Sequence, residues 1–336
     1  MSILPSLHAV VAGRNLTESE AESTLAVILE GASTPPQIAA FLTALRMKGE
    51  TAEELTGFAR AMRRFATPFA SNLPEPLIDT CGTGGDGPST FNISTIAAFV
   101  LAAAGVRVAK HGNRSISSKC GSADVLEALG VRIDLRPDEA ARAIRDVGIA
   151  FLFAPAYHAS TRHVQPVRRE LKMRTVFNLL GPLANPAGAT IQVVGTTSEH
   201  NAGLLAEALR GLGLRRGFVV HGRDGLDEVT TTSETVAFEI HQGRVTERIL
   251  TPEDFGVPRA QLDELTGGLA PENAEIARRV LAGEKGPARD IVVVNAALAL
   301  VAAEKAASLS DGVRLATQML DSGGAREKLE QLAAFV

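Results

Sequence analysis

Asp79-Thr80-Cys81-Gly82-Thr83-Gly84-Gly85-Asp86-Gly87 stands between a short β-forming run, Leu77–Asp79, and a helix-forming stretch, Ser94–Ala104. Glycine lets several backbone N–H groups crowd around an anion with no Cβ in the way, and the helix that follows adds the partial positive charge of its N-terminus. Gly82, Gly84 and Gly87 satisfy G-x-G-x-x-G, so a dinucleotide fold has to be weighed. Two residues count against it. The ribose-binding acid of that fold closes the next strand about 20 residues on, but here Val106–Ala109 runs into Lys110. Asp86 also lies inside the loop, where it would repel a pyrophosphate unless a cation or a ribose hydroxyl intervened. Read alone, the loop fits a plain turn as well as a phosphate site, and its surroundings must decide.

Outward from this loop, β-rich runs alternate with helical ones. The former are Val106–Ala109, Ile149–Phe153, Ile191–Gly195 and Gly217–Val220; the latter are Ser122–Leu129, Asp138–Val147 and Glu199–Leu212. Such alternation is the sequence form of βαβ units on a largely parallel sheet. Val236–Ile240 and Val245–Leu250, joined at Gln242-Gly243, read as a hairpin and hence an antiparallel addition. The C-terminal end reads as helices, including Ile291–Ala303, apolar enough to be a buried core helix and interrupted by Asn295.

Residues 1–66 read as a small helical unit. Thr17 with Glu20 and Thr51 with Glu54 form capping boxes, and Thr34-Pro35 opens the helix between them. Leu25, Ile28 and Leu29, then Ile38, Phe41, Leu42 and Leu45, then Leu55, Phe58, Ala59 and Met62 make three apolar stripes at helical spacing. Three short helices cannot bury such stripes alone, so they must pack on one another, on the main body or on another subunit. Residues 67–76, punctuated by proline, form the linker to an α/β domain spanning 77–336. The expected fold is α/β, with a small N-terminal helical domain and a large domain built on a mainly parallel central sheet.

Composition agrees with two domains in 336 residues. Hydrophobic residues at 45% against 21% charged rule out wholesale disorder. With 4% aromatics, no Trp and a net charge of -4, neither a base-stacking platform nor a basic nucleic-acid surface is expected. Two cysteines make neither a disulfide framework nor, alone, a structural zinc site. No apolar run reaches the ~18 residues of a membrane span, and no basic region precedes the mildly apolar start. A cytoplasmic protein with no membrane partner is expected.

The surroundings favour the phosphate reading of the glycine loop. Thr90-Phe91-Asn92-Ile93-Ser94-Thr95 sets four hydroxyl or amide side chains at a helix start, where capping and phosphate binding compete for them. Lys110 to Ser122 carries three Lys/Arg and four Ser with no acid, and follows a second strand. Both loops therefore emerge at the carboxyl ends of parallel strands, where open α/β sheets hold their ligands. Together they read as a polyphosphate cup. Asp227 and Glu228 are adjacent carboxylates in a loop after Phe218–Val220. Such pairs are ordinarily just solvated, but magnesium binds through one or two carboxylates plus substrate oxygens. Between Arg162 and Arg174 there are five Lys/Arg and one acid, Glu170. A guanidinium there suits a carboxylate ligand, unless Arg168 pairs with Glu170 instead.

These residues resemble the anthranilate phosphoribosyltransferases. The resemblance rests on Cys81–Gly87, Asn92–Thr95, Lys110–Ser115, Gly121–Gly130, Val167–Leu171, Arg174–Leu183 and Asp224–Glu228, in that order over nearly the whole chain. The first glycine and serine blocks are shared with pyrimidine nucleoside phosphorylases, which stay open as an alternative, as does a noncatalytic nucleic-acid-binding relative. The Arg168 and Asp227-Glu228 blocks favour the anthranilate enzymes.

The resemblance implies transfer of the 5-phosphoribosyl group from phosphoribosyl pyrophosphate to the amine of anthranilate, releasing pyrophosphate, in tryptophan biosynthesis. It implies that Gly82, Gly85, Asp86, Thr90, Asn92, Ile93, Ser94, Thr95, Lys110, His111, Gly112, Asn113, Arg114, Ser115, Ile116, Ser117, Ser118 and Ser122 hold the donor's phosphates and ribose. Arg168, with Gly82 and Asn113, would bind anthranilate. Ser94, Asp227 and Glu228 would reach two magnesium ions. It further implies substrates in a cleft between the domains, part of 168–185 joined to the helical domain, and a homodimer formed through that domain. An aromatic amine attacks as the neutral base, so catalysis is expected from alignment and electrostatics, with no catalytic residue assigned; His111 or His158 is a candidate for the late proton. The sequence departs from the family pattern at Tyr157, where a His is usual, which bears on contacts to the aromatic substrate. Cys120 and Lys172 are milder departures, and Cys81 and Cys120 read as small buried fillers.

Overall fold

A computed structural model gives the fold and describes residues 2–69, 73, 76–85, 90–115 and 119–336. Four helices open the chain: α1 (Leu4–Val11), α2 (Glu18–Leu29), α3 (Pro35–Lys48) and α4 (Ala52–Arg64). Both expected capping boxes form. Glu20 N donates to Thr17 Oγ1 at 3.3 Å while Thr17 N donates to Glu20 Oε2 at 2.9 Å, and Glu54 and Thr51 repeat the exchange at 3.2 and 2.9 Å. Glu54 is fully buried, and its carboxylate also takes Leu16 N–H and the Lys48 ammonium, each at 2.9 Å. One acid thus ties the entrance of α2 to the end of α3 and the start of α4. The sequence reading expected three helices here and missed α1. Within α1 only Val10 is buried, so the periodic signal is too thin to read.

The sheet has seven strands: β1 (Leu77–Gly82), β2 (Arg107–Gly112), β3 (Ile149–Phe153), β4 (Ile191–Gly195), β5 (Arg216–Gly222), β6 (Thr235–His241) and β7 (Arg244–Leu250). Their order is β3-β2-β1-β4-β5-β6-β7. The first five are parallel, and the β6–β7 hairpin adds on antiparallel, as its turn residues suggested. Two strands run further than the sequence indicates. β1 continues to Gly82, paired with Gly195 of β4, and β2 continues through Lys110 and His111 to Gly112, paired with Phe153 of β3. Lys110 and His111 are therefore buried residues of β2 rather than the first residues of the loop that follows it. The chain lays β2 and β3 on one side of β1, then returns to lay β4 and β5 on the other. The carboxyl ends of β1 and β4 form the topological switch point, where a crevice opens.

Helices cover both faces. After β1 comes α5 (Ile93–Ala103); after β2 come α6 (Ser122–Ala128) and α7 (Pro137–Asp146). Between β3 and β4 lie three short helices, α8 (Ala154–Tyr157), α9 (Gln165–Leu171) and α10 (Phe177–Leu180), and β4 leads into α11 (Glu199–Gly211). The chain ends in α12 (Ala270–Leu281), α13 (Pro287–Ala302), α14 (Leu309–Asp321) and α15 (Gly324–Ala333). One face of the sheet presents Val108, Ile191, Phe218 and Val220 to α5 and α13, whose Phe99, Val292 and Leu298 are buried with them. The expected core helix is thus α13. The other face presents Val194, Val219 and Ile240, and these share one apolar core with Leu205 and Leu209 of α11 and with Phe41, Leu55 and Phe58 of the N-terminal helices. Val167 of α9 and Phe177 and Leu180 of α10 belong to that core as well. The small helical unit has no separate interior.

Candidate active site

A cavity of about 320 Å³ lies at the switch point, within the size range of small-molecule sites. Its lining gathers residues from both loops, from α9 and α10, and from the loop after β5. Of the residues expected from the sequence, Gly82, Gly85, Thr90, Asn92, Ser94, Thr95, Lys110, His111, Gly112, Asn113, Arg114, Ser115, Ser122, Arg168, Asp227 and Glu228 line it. Ile93 stands apart, its side chain fully buried in the core under α5. Asp86, Ile116, Ser117 and Ser118 lie outside the described residues.

Gly82 and Gly195, neighbours across β1 and β4, explain how the acid pair reaches the glycine loop. A Cβ on Gly195 would lie 1.6 Å from Asp227 O, and one on Gly82 would lie 2.5 Å from Asp227 Oδ2. The loop after β5 therefore crosses the ends of two strands that carry no side chain there. Gly84, held at φ +64°, donates its N–H to Asp227 Oδ2 at 3.0 Å. Ser94 N, at the start of α5, donates to Glu228 Oε1 at 3.1 Å, which sets an anion at the positive end of that helix. Both carboxylates are held by backbone amides of the anion cup itself.

Behind the cup sits a buried polar cluster. Lys110 Nζ donates to Thr80 O and, at 3.5 Å, to Ser94 Oγ. Asp79 accepts from His111 N at 3.1 Å and from Asn185 Nδ2 at 2.8 Å. Burial pushes the Asp79 carboxyl up to about 6, with the Lys110 ammonium, Asn185 and the His111 N–H acting the other way. Burial lowers Lys110, which the Asp79 carboxylate counteracts. The rings of His111 and His158 meet edge to face with centroids 5.2 Å apart. Desolvation depresses them to about 3 and about 4, so both are neutral near pH 7.

The second loop is held by its own acid. Asp124 accepts from Gly121 N at 2.8 Å and Ser115 N at 3.1 Å and pairs with Arg114 at 2.9 Å. Asn92 is fixed between Cys120 O (3.2 Å) and Asn273 Nδ2 (3.0 Å). Burial raises the thiol of Cys81 well above its usual value and that of Cys120 to about 11, so neither is a ready thiolate.

Arg168 projects from α9 with its guanidinium 5.3 Å from the ring centre of Phe177. Among the described residues it makes no ion pair, with Glu170 or any other acid. Arg174, which the sequence reading quoted in a block but not as a site residue, also lines the cavity and donates to Gly84 O at 3.2 Å. Gln165, Phe177 and Asn178 line it as well. Phe177 and Asn178 belong to the same Arg174–Leu183 block, whereas the only sequence signal for Gln165 was its proximity to Arg168. Tyr157 requires a correction. It does not face the aromatic acceptor's approach but turns into the core, 1% exposed, with its hydroxyl donating to Leu135 O at 3.1 Å and its ring beside Phe69. A phenol with one polar tip fits an apolar interior that offers one carbonyl.

No group of three or more His, Cys, Asp and Glu able to hold a metal occurs among the described residues. Two carboxylates and the Ser94 hydroxyl nevertheless line the cavity together, a hard-oxygen set that suits magnesium when a ligand's own oxygens complete the coordination.

Fold and site define a glycosyl transferase of two parts. The family model described as "Glycosyl transferase family, a/b domain" matches residues 74–326, and that described as "Glycosyl transferase family, helical bundle domain" matches 4–66. An anthranilate phosphoribosyltransferase from Solibacter usitatus is 59% identical over 336 residues, covering 100% of this chain and 99% of its own. The crystal structure of anthranilate phosphoribosyltransferase from Thermus thermophilus superposes with a TM-score of 0.93 at 47% identity, over 98% of each chain. The enzyme from Saccharomyces cerevisiae, solved in complex with PRPP and Mg, gives a TM-score of 0.89 at 29% identity over 98% of this chain and 96% of that one. The chain belongs to the anthranilate phosphoribosyltransferase family. Its relatives support neither the nucleoside phosphorylase nor the nucleic-acid-binding alternative.

Proposed function

We propose that this chain transfers the 5-phosphoribosyl group of phosphoribosyl pyrophosphate to the anthranilate amine in tryptophan biosynthesis, with the two switch-point loops as the donor site and Arg168 as the acceptor's anchor. The observation that carries the proposal is the meeting of the Asp227–Glu228 pair, the glycine loop and Arg168 in one cavity. The N–C1 bond to the ribose forms as the C1–O bond to pyrophosphate breaks with its electron pair, and the proton shed by the nitrogen passes to water or to the released pyrophosphate. Backbone N–H groups of the glycine loop, the start of α5, and the side chains of Lys110, Ser115 and Ser122 would hold the phosphates and ribose. Arg168, braced on Phe177 and without an acid partner among the described residues, would take the anthranilate carboxylate bidentately.

The oxygen donors of Ser94, Asp227 and Glu228 would hold magnesium, two ions in this reading, and bound with the pyrophosphate it would neutralise the leaving group's charge. His111 and His158, depressed to about 3 and about 4, are poorly matched to proton transfer near neutrality. That supports alignment and electrostatics as the main sources of rate. Exposed Leu4, Val11 and Met47 on α1 and α3 support pairing of two copies through the helical domain. No described helix is long and apolar enough to cross a membrane, and a cytoplasmic location is part of the proposal.

Loss of anthranilate fluorescence on adding phosphoribosyl pyrophosphate and magnesium, with pyrophosphate followed in parallel, tests the reaction. Arg168→Ala tests the site: it should raise the anthranilate KM far more than that of the donor. Equal effects on the two would remove Arg168 from the acceptor site.

A further inference from the structure

Asn295 is the one polar residue in the apolar run Ile291–Ala303 of α13, and it is 4% exposed. A buried amide costs free energy unless its donors and acceptor are met. Here they are met at one place. Asn295 Oδ1 accepts from Val229 N at 2.9 Å, and Nδ2 donates to Val229 O at 2.9 Å and to Ile291 O at 2.8 Å. Val229 directly follows Glu228. Holding both the N–H and the C=O of a single residue fixes its position and its rotation about the chain, as a strand partner would. On the other side of the acid pair Leu226 is fully buried, its N–H donating to Asp224 Oδ1 at 3.2 Å and its carbonyl accepting from Gly222 N at 2.9 Å.

We propose that Asn295 is a positioning residue for the metal-holding carboxylates: it sets the reach of Asp227 and Glu228 into the cavity by clamping Val229 to the core helix. The inference rests on the reading of that pair as magnesium ligands. Residues that orient metal ligands typically cost about 10- to 100-fold in metal affinity when removed, and that range is expected here for magnesium-dependent binding of phosphoribosyl pyrophosphate, with the anthranilate KM changing by less than about twofold.

The test compares Asn295→Ala, Asn295→Asp and the neighbouring core variant Val294→Ala. Asn295→Asp keeps an acceptor for Val229 N–H but loses the donor to Val229 O, and it serves if the alanine variant folds poorly. Hydrogen–deuterium exchange at the Val229 amide, without ligands, should quicken in both Asn295 variants and not in Val294→Ala. Calorimetric titration with phosphoribosyl pyrophosphate, with and without magnesium, should show the weakening in the same two. If both Asn295 variants lose only thermal stability, as Val294→Ala does, and keep normal magnesium-dependent binding, the role of Asn295 is overturned. If Asp227→Asn with Glu228→Gln leaves that binding intact, the reading of the acid pair itself is overturned, whatever the exchange shows.

Discussion

Gly195→Ala is expected to cripple the enzyme although the backbone there suits alanine. Gly195 is a strand residue without a positive φ, and glycine inside a strand is ordinarily about 0.5–1 kcal/mol worse than alanine. By propensity alone the substitution should stabilise. The added Cβ, however, would lie 1.6 Å from Asp227 O, and ordinary contact begins at 3.4 Å, so the Asp227 carbonyl or the end of β4 must move by about 1.8 Å. The obstacle is backbone and cannot rotate away. Overpacking of this kind costs about 1–3 kcal/mol, enough to reverse the sign of the propensity effect. Misplacement of reacting groups by about 1 Å costs about 100-fold in rate, so kcat/KM in the anthranilate fluorescence assay should fall by at least that factor. Gly82→Ala makes the control, since its Cβ meets Asp227 Oδ2, a side-chain atom that can swing, and Tm should fall less. A Gly195→Ala enzyme with raised Tm and kcat/KM within about twofold of the parent would refute the reasoning.

Further outcomes follow from other parts of the structure. His158 is depressed from 6.5 to about 4 by burial, so it costs nothing above pH 6.5 and destabilises as the unfolded chain protonates first on acidification; His111, near 3, acts likewise, while Asp79, raised from 3.8 to about 6, acts with the opposite sign between those values. His158→Gln should therefore flatten the rise of unfolding free energy with pH by up to about 1.4 kcal/mol per pH unit between pH 4 and 6.5, and urea titrations showing an unchanged slope would remove the buried neutral ring from the account. Glu54→Ala takes the charge partner from the Lys48 ammonium, which keeps Asn15 Oδ1 and Gly49 O, strands two backbone N–H groups, and should cost about 3 kcal/mol by denaturant unfolding; a loss below about 1 kcal/mol would show that the acid does not tie the helices together. Tyr157→Phe should cost about 1 kcal/mol for the bond to Leu135 O and leave the anthranilate KM unchanged; a raised KM would return Tyr157 to the acceptor site.

Much of this architecture was legible from local chemistry. The capping residues Thr17 and Thr51, the alternation of β-rich and helical runs, and Gln242-Gly243 in the hairpin turn each act through neighbours close in sequence. What escaped depends on distant partners. Nothing near Lys110 and His111 says that they continue β2, because the pairing that extends the strand comes from residues 149–153. The glycine loop suggested an anion site through its glycines, yet Gly82 is empty of side chain at least partly because Asp227, far along the chain, lies against it. Asp79 and Asn185 went unread for the same reason: their hydrogen bonds join segments that only the fold brings together. Tyr157 was read by its place in a family pattern, and only packing reveals that its ring faces the interior.

The shared core of the N-terminal helices, α11 and one face of the sheet has a consequence for biosynthesis on the ribosome. The stripes of Leu55 and Phe58 emerge first, but Leu205 and Leu209, which complete their cover, lie well over a hundred residues downstream. At ~5–20 residues per second that gap of about 150 residues corresponds to roughly 7–30 s of translation. Through that interval the nascent helices carry apolar faces whose final partners do not yet exist. These helices leave the exit tunnel long before α11 does and cannot complete their native packing until it follows, which gives a holdase chaperone a long opportunity to bind them.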